Sequence, residues 1–192
     1  MSEKNSPPQD PAQVARDLAA ALDAAKCEYA IGGAIALGFW AEPRGTIDVD
    51  VTLFLPPKEL SNCVRILQKI GCTVEASKAM SSLSEHGYCE VSYRGSRIDV
   101  FLPTISFYEL ARQRRKRVLL GDQLLMIWDA ETLCVFKMMF FRRKDIADLE
   151  QTLRTQGKQL DRDWVYQRLI ELYGSRDPRV SQWEELVLEV QP

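Results

Sequence analysis

Residues 47–55, Ile-Asp-Val-Asp-Val-Thr-Leu-Phe-Leu, most constrain what this chain can fold into. β-Branched residues dominate the run and Pro56-Pro57 stops it, so it reads as a strand. Side chains at i and i+2 of a strand point to one face, so Asp48 and Asp50 project together while Val49 and Val51 project to the other side. The sheet that contains this strand must bury one face and keep two carboxylates on the other. Like charges this close repel unless something cationic sits between them, and oxygen-only donors suit Mg²⁺ or Mn²⁺.

The pattern around this strand alternates helix and strand signals. Asp10-Pro11-Ala12-Gln13 offers an N-cap, a proline at the first helical position and a glutamine three residues after the cap, predicting a helix to about Ala25 after a loose tail over residues 1–9. Cys27 to Ile31 reads as a short strand, Gly32-Gly33 as a turn, and Ala34 to Trp40 as a short buried helix. Leu60, Val64, Leu67 and Ile70 keep helical spacing up to Gly71. Cys72 to Ala76 is expected to be a strand, and Ser77 to Gly87, rich in Ser, a polar loop. Tyr88 to Leu102 suggests two strands around an Arg94-Gly95 turn, placing a third carboxylate, Asp99, in the sheet. A helix from Ser106 to about Lys116, two strands around Gly121-Asp122, and helices from Ala130 onward complete the pattern. The expected fold is α+β: a mixed sheet with flanking helices over residues 10–128, followed by a C-terminal helical region over 129–192.

Composition narrows the chemistry. One histidine among 192 residues makes multi-histidine metal sites and Ser-His-Asp catalysis poorly supplied, so any metal chemistry has to use carboxylates. Five cysteines without a Cys-x-x-Cys pair, and an N-terminus without an apolar core, predict a reduced, cytoplasmic protein. No apolar run reaches the roughly 18–20 residues of a membrane helix, so no membrane partner is expected. A net charge of -2 argues against polyanion binding through total charge and directs attention to local patches.

Asp48, Asp50 and Asp99 together have the chemistry of a divalent-metal site for phosphoryl or nucleotidyl transfer, with Asp99 best placed to accept the proton of an attacking hydroxyl. Gly32-Gly33 fits the same task, because a side-chain-free turn at a helix N-terminus exposes backbone N–H groups to a triphosphate. Arg44 and Thr46, on the approach to the strand, add donors to phosphate oxygens.

The order Gly32-Gly33, short helix, Asp48-Val49-Asp50 and then Asp99 resembles the polymerase β-type nucleotidyltransferase superfamily. The stretch "PRGTIDVDVTL" resembles the Pro-Arg-x-Thr-x-Asp-Ile-Asp signature of its small bacterial branch, related to AbiEii-type toxins and to aminoglycoside and lincosamide nucleotidyltransferases. A second stretch, "DAETLCVFKMMFFRRKDIADL", is similar to that branch at Glu131, Lys137, Arg143, Lys144, Asp145 and Asp148. The resemblance covers about residues 28–153. It implies a polymerase β-like core, Mg²⁺ or Mn²⁺ held by Asp48, Asp50 and Asp99, and a nucleoside triphosphate bound by Gly32, Gly33, Arg44, Thr46 and Lys137. It also implies a tRNA, protein or small-molecule acceptor, with a cognate antitoxin where the chain acts as a toxin. The alternative is a non-catalytic nucleotide-binding or toxin-antitoxin partner module of the same fold.

Lys137 lies among Val135, Phe136, Met138 and Met139, where an ammonium needs an anion: a phosphate, or a core carboxylate such as Asp145 or Asp148. Asp145 and Asp148 are read as capping and bracing the next helix. The basic run Arg112, Arg114, Arg115, Lys116 and Arg117 reads either as a solvated helix end or as a docking surface for a polyanionic acceptor. His86 and the tryptophans are assigned no chemistry.

Overall fold

The computed structural model describes residues 10–56 and 58–190; the expected tail over residues 1–9 lies outside them. In chain order the elements are α1 (Pro11–Ala24), β1 (Tyr29–Ile31), α2 (Gly33–Trp40), β2 (Asp48–Leu53), α3 (Leu60–Lys69), β3 (Cys72–Thr73), α4 (Ala76–His86), β4 (Tyr88–Tyr93) and β5 (Ser96–Phe101). There follow α5 (Phe107–Arg114), β6 (Lys116–Leu120), β7 (Gln123–Ile127), α6 (Ala130–Phe140), α7 (Arg143–Gln156), α8 (Arg162–Tyr173) and α9 (Pro178–Glu189). Two compact units divide the chain. The first holds the described residues up to Ile35 and Gly45–Trp128; the second holds Ala36–Arg44 and the described residues from Asp129 onward.

The first unit is built on a seven-stranded mixed sheet of order β3-β4-β5-β2-β1-β7-β6. β2 runs parallel to β5 and antiparallel to β1, while β1 runs parallel to β7. One face of the central strands is apolar and closed: Val49, Val51, Ile98, Val100, Cys89 and Val91 are all buried. Each such side chain contributes about 1.5–3 kcal/mol. A one-residue slip of β2 would replace Val49 and Val51 in that layer by two carboxylates, so the register is fixed by the very alternation seen in the sequence. The β4–β5 hairpin turns at Arg94-Gly95, both at positive φ (49° and 81°), as a two-residue turn of the kind that matches strand twist.

α1 begins as its sequence predicts, with Asp10 accepting a hydrogen bond from Ala12 N–H at 3.2 Å and proline in the first turn. Gln13 bonds instead one turn onward to Asp17, at 2.8 Å. The expected loop over Ser77–Gly87 is a helix, α4. Ala79 and Leu83, four residues apart, are buried on one side of it, and Gly87 in the left-handed region (φ 65°) terminates it. Its serines and charged residues occupy the outer side, so a polar composition concealed an amphipathic period. The same helix cuts the preceding strand short, leaving β3 two residues long. α5 ends two residues earlier than the spacing predicts, because Arg115 turns extended (ψ 145°).

The second unit is helical. Asp129, Asp161 and Asp177 cap α6, α8 and α9 by accepting from Thr132, Trp164 and Arg179 N–H at 2.9 Å each. α6 is apolar on nearly every side and buried from Thr132 through Met138. It packs on α7, α8 and α9, with Trp183 of α9 fully enclosed.

All five cysteines are free thiols in buried positions. Burial pushes Cys27 and Cys89 up to about 11 and Cys63 and Cys72 up to about 12, so these thiols stay protonated and pack as small apolar groups. Among the described residues no helix is long and apolar enough to cross a membrane.

Candidate active site

The three aspartates named from the sequence meet on one sheet face. In the β2–β5 pairing Asp50 lies opposite Asp99, and Asp48 lies opposite Arg97. Paired residues share a face, so Asp48, Asp50, Arg97 and Asp99 project together, joined by Glu90 of β4, which lies opposite Asp99. Asp99 is 7% exposed. The Arg97 guanidinium donates from Nε to its Oδ1 at 2.8 Å and from Nη2 to its Oδ2 at 3.0 Å, and also lies 3.1 Å from Glu90. Burial and the nearby Asp99 charge push the Tyr88 phenol above its ordinary range, so it remains a donor toward Asp99, at 3.4 Å. Thr46, read from the sequence as a phosphate donor, here gives its hydroxyl hydrogen to Asp48 Oδ1 at 2.5 Å and orients that carboxylate.

Gly32-Gly33 closes on the same strand. Gly32 N–H donates to the Asp50 carbonyl at 2.9 Å, which ties the turn to β2. Gly33, the first residue of α2, has φ 54°, and a Cβ placed on it would lie 1.7 Å from Asp50 Oδ2. The carboxylate therefore sits where any other residue would put its side chain, at the first turn of a helix whose N–H groups have no intrahelical partner. On the other flank, a Cβ on Gly32 would meet the Trp128 ring at 3.1 Å. Trp128 packs edge-on against Phe54, at 5.9 Å between ring centres, and so backs the turn. Gly33→Ala is expected to combine a left-handed backbone penalty of about 1–2 kcal/mol with displacement of Asp50. The expected result is a lowered melting temperature; an unchanged melting temperature would mean that the close approach is incidental.

Arg44 and Lys137 belong to the second unit, in a charge cluster whose Lys137, Asp145 and Asp148 are buried and whose Arg44 is exposed. Arg44 holds Asp148 with two hydrogen bonds, of 2.8 and 2.9 Å, and Lys137 Nζ donates to Asp148 Oδ2 at 2.6 Å. Lys137 is 4% exposed and lies 4.0 Å from Asp145. Burial pushes the Asp148 carboxyl up, but the Arg44 and Lys137 donors outweigh it and hold the group below its usual value. Asp145 closes the N-terminus of α7, accepting from Arg142 N–H at 3.1 Å and from its guanidinium at 2.7 Å.

The basic run is divided between two tasks. Arg112 and Arg115 both hydrogen-bond Glu28, Arg115 also donates to the Tyr29 carbonyl at 2.7 Å, and both guanidinium groups lie over the Phe54 ring. These two fasten α5 to the start of β1. Lys116 and Arg117 lie exposed on β6, at the sheet edge. His86 ends α4 and is exposed, 3.7 Å from Glu85.

Arg97 is the site residue that sequence reading missed. Its signal was present: Arg97 and Asp99 stand two apart in one strand, as Asp48 and Asp50 do, which obliges them to share a face.

In architecture the chain is similar to two solved structures of an antibiotic-resistance factor. ANT(2'')-Ia in complex with adenylyl-2''-tobramycin matches it with a TM-score of 0.57 at 15% identity, covering 85% of this chain and 96% of that one. The solution structure of the antibiotic-resistance factor ANT(2'')-Ia matches with a TM-score of 0.55 at 13% identity, over 94% of this chain and 92% of that one. No protein-family model and no curated protein sequence matches the chain. The fold is thus the polymerase β-like nucleotidyltransferase fold that the motifs implied.

Proposed function

We propose that this protein is a metal-dependent nucleotidyltransferase that moves a nucleoside monophosphate from an NTP to an acceptor hydroxyl and releases pyrophosphate. The observation that carries the proposal is the register of β2 and β5, which sets Asp50 opposite Asp99 with Asp48 on the same face and the Gly33 turn against Asp50. An all-oxygen donor set of this kind fits a hard divalent cation. Asp48 and Asp50 would hold it, and Asp99 would join once its oxygens are released by Arg97; among the described residues no preformed cluster of three ligands stands ready. When bound, Mg²⁺ or Mn²⁺ supplies Lewis-acid stabilisation of charge developing on the transferring phosphoryl group.

Asp99 takes the acceptor's proton, Gly32 and Gly33 offer backbone N–H groups to the triphosphate, and Thr46 keeps Asp48 aimed. Arg44 and Lys137 are proposed phosphate ligands on the strength of the motif resemblance; here both engage Asp148. The toxin-like branch suggests a tRNA or protein acceptor and a cognate antitoxin, whereas one of the similar solved structures is a complex with adenylyl-2''-tobramycin, which suggests a small hydroxylated acceptor.

The test is incubation of the purified chain with Mg²⁺ and each α-labelled NTP, offered total RNA, cell protein or aminoglycosides. Label in any acceptor supports the proposal and identifies the acceptor class. A labelled macromolecule is expected to fade as salt rises from about 50 to 200 mM, because phosphate contacts exchange with counterions. No label with any acceptor, alongside intact NTP binding, would favour a non-catalytic binding module.

A further inference from the structure

The acidic sheet face already carries a cation belonging to the chain. Arg97 lies opposite Asp48 in the β2–β5 register, engages both oxygens of Asp99, and reaches Glu90 at 3.1 Å. A guanidinium fork matched to both carboxylate oxygens is among the strongest side-chain pairings available, and here its acceptor is nearly buried. With both oxygens engaged, Asp99 is neither a ready metal ligand nor a ready base.

We infer that Arg97 is an internal counter-cation that closes Asp99 to metal in the nucleotide-free protein and releases it when a triphosphate binds, so that metal and nucleotide load together. The inference rests on the nucleotidyl-transfer reading. A divalent ion arriving alone must displace the guanidinium from Asp99 and leave it without an equal partner. A triphosphate changes that balance, because its oxygens accept the same fork and the guanidinium exchanges one charge-assisted pair for another. The Arg97 side chain is 43% exposed and so has room to swing, and Glu90, 55% exposed, gives it an intermediate partner. Arg97 is thus a positioning residue that acts through Asp99.

The experiment measures Mn²⁺ binding to the whole chain by the electron paramagnetic resonance signal of the free ion, with and without an NTP analogue that cannot be cleaved between its α- and β-phosphates, each reading taken against a protein-free blank because the analogue itself binds Mn²⁺. Wild type is expected to bind Mn²⁺ weakly alone and markedly more tightly with the analogue. Arg97→Gln is expected to bind Mn²⁺ about tenfold more tightly than wild type without nucleotide, and to lose most of that advantage once the analogue is present. Arg97→Lys, which keeps the charge but not the fork, is expected to fall between them, and it carries the comparison should the glutamine variant unfold. Equal or weaker Mn²⁺ binding by the variants without nucleotide, while wild type still binds the Mn²⁺–analogue complex, would overturn the role of Arg97 and leave the enzymatic reading intact. Failure of every form to bind Mn²⁺ even with the analogue would overturn both.

Discussion

Asp50→Asn is expected to lower nucleotidyl transfer about a thousandfold, equivalent to about 4 kcal/mol of barrier, with little change in melting temperature. The substitution keeps the shape that nests against Gly33 and removes only the charge. Asp50 lies beside Asp48 on one sheet face, so loss of one of the two carboxylates relieves their mutual repulsion. The backbone bond from Gly32 N–H to the Asp50 carbonyl is independent of the side chain and survives. The measurement pairs single-turnover rate with thermal unfolding. A variant that folds like wild type and transfers at more than a tenth of its rate would remove Asp50 from the chemistry.

Asp148→Ala is expected to destabilise the second unit by about 3 kcal/mol, the lower end of the cost of breaking a buried ion pair. It leaves Lys137 nearly buried with the Asp145 carboxylate 4.0 Å away, and removes both Arg44 bonds. The double variant Lys137→Met/Asp148→Leu is expected to recover much of the loss, since a packed apolar pair replaces the buried ions and Arg44, 36% exposed, turns to water. The pH dependence has a definite sign. The folded carboxyl titrates below the ordinary value of 3.8, so its contribution is complete above that pH and fades as pH falls through the lower folded value. Denaturant unfolding from pH 6 downward is therefore expected to show an acid-side loss in wild type that Asp148→Asn lacks. A single variant within about 1 kcal/mol of wild type would show that this cluster does not hold the unit together.

Much of the fold was legible because its signals were local. The Asp-x-Asp alternation defined the acidic and apolar faces of β2, Asp10-Pro11 set the start of α1, and Arg94-Gly95 set the hairpin. α4 escaped because its apolar stripe is only Ala79 and Leu83, and serine-rich composition outweighed it. Asp99 was recognisable as a third carboxylate, but its register opposite Asp50 depends on parallel pairing between strands more than forty residues apart, which no local pattern specifies. The same long-range pairing brought Arg97 opposite Asp48. The partner of Lys137 was narrowed to a phosphate or a carboxylate by its apolar surroundings, and only tertiary packing selected Asp148 as the contact it makes here. Likewise the basic run gave no hint that Glu28, more than eighty residues away, engages Arg112 and Arg115.

The most direct measurement runs two parallel incubations of the full chain with Mg²⁺ and acceptor, one with NTP labelled at the α-phosphate and one at the γ-phosphate, beside the Asp50→Asn variant. Nucleotidyl transfer predicts α-label retained in the acceptor, γ-label released as pyrophosphate, and neither event in the variant. γ-Label appearing in the acceptor, or label release that persists undiminished in Asp50→Asn, would contradict the assignment of this carboxylate face to nucleotidyl transfer.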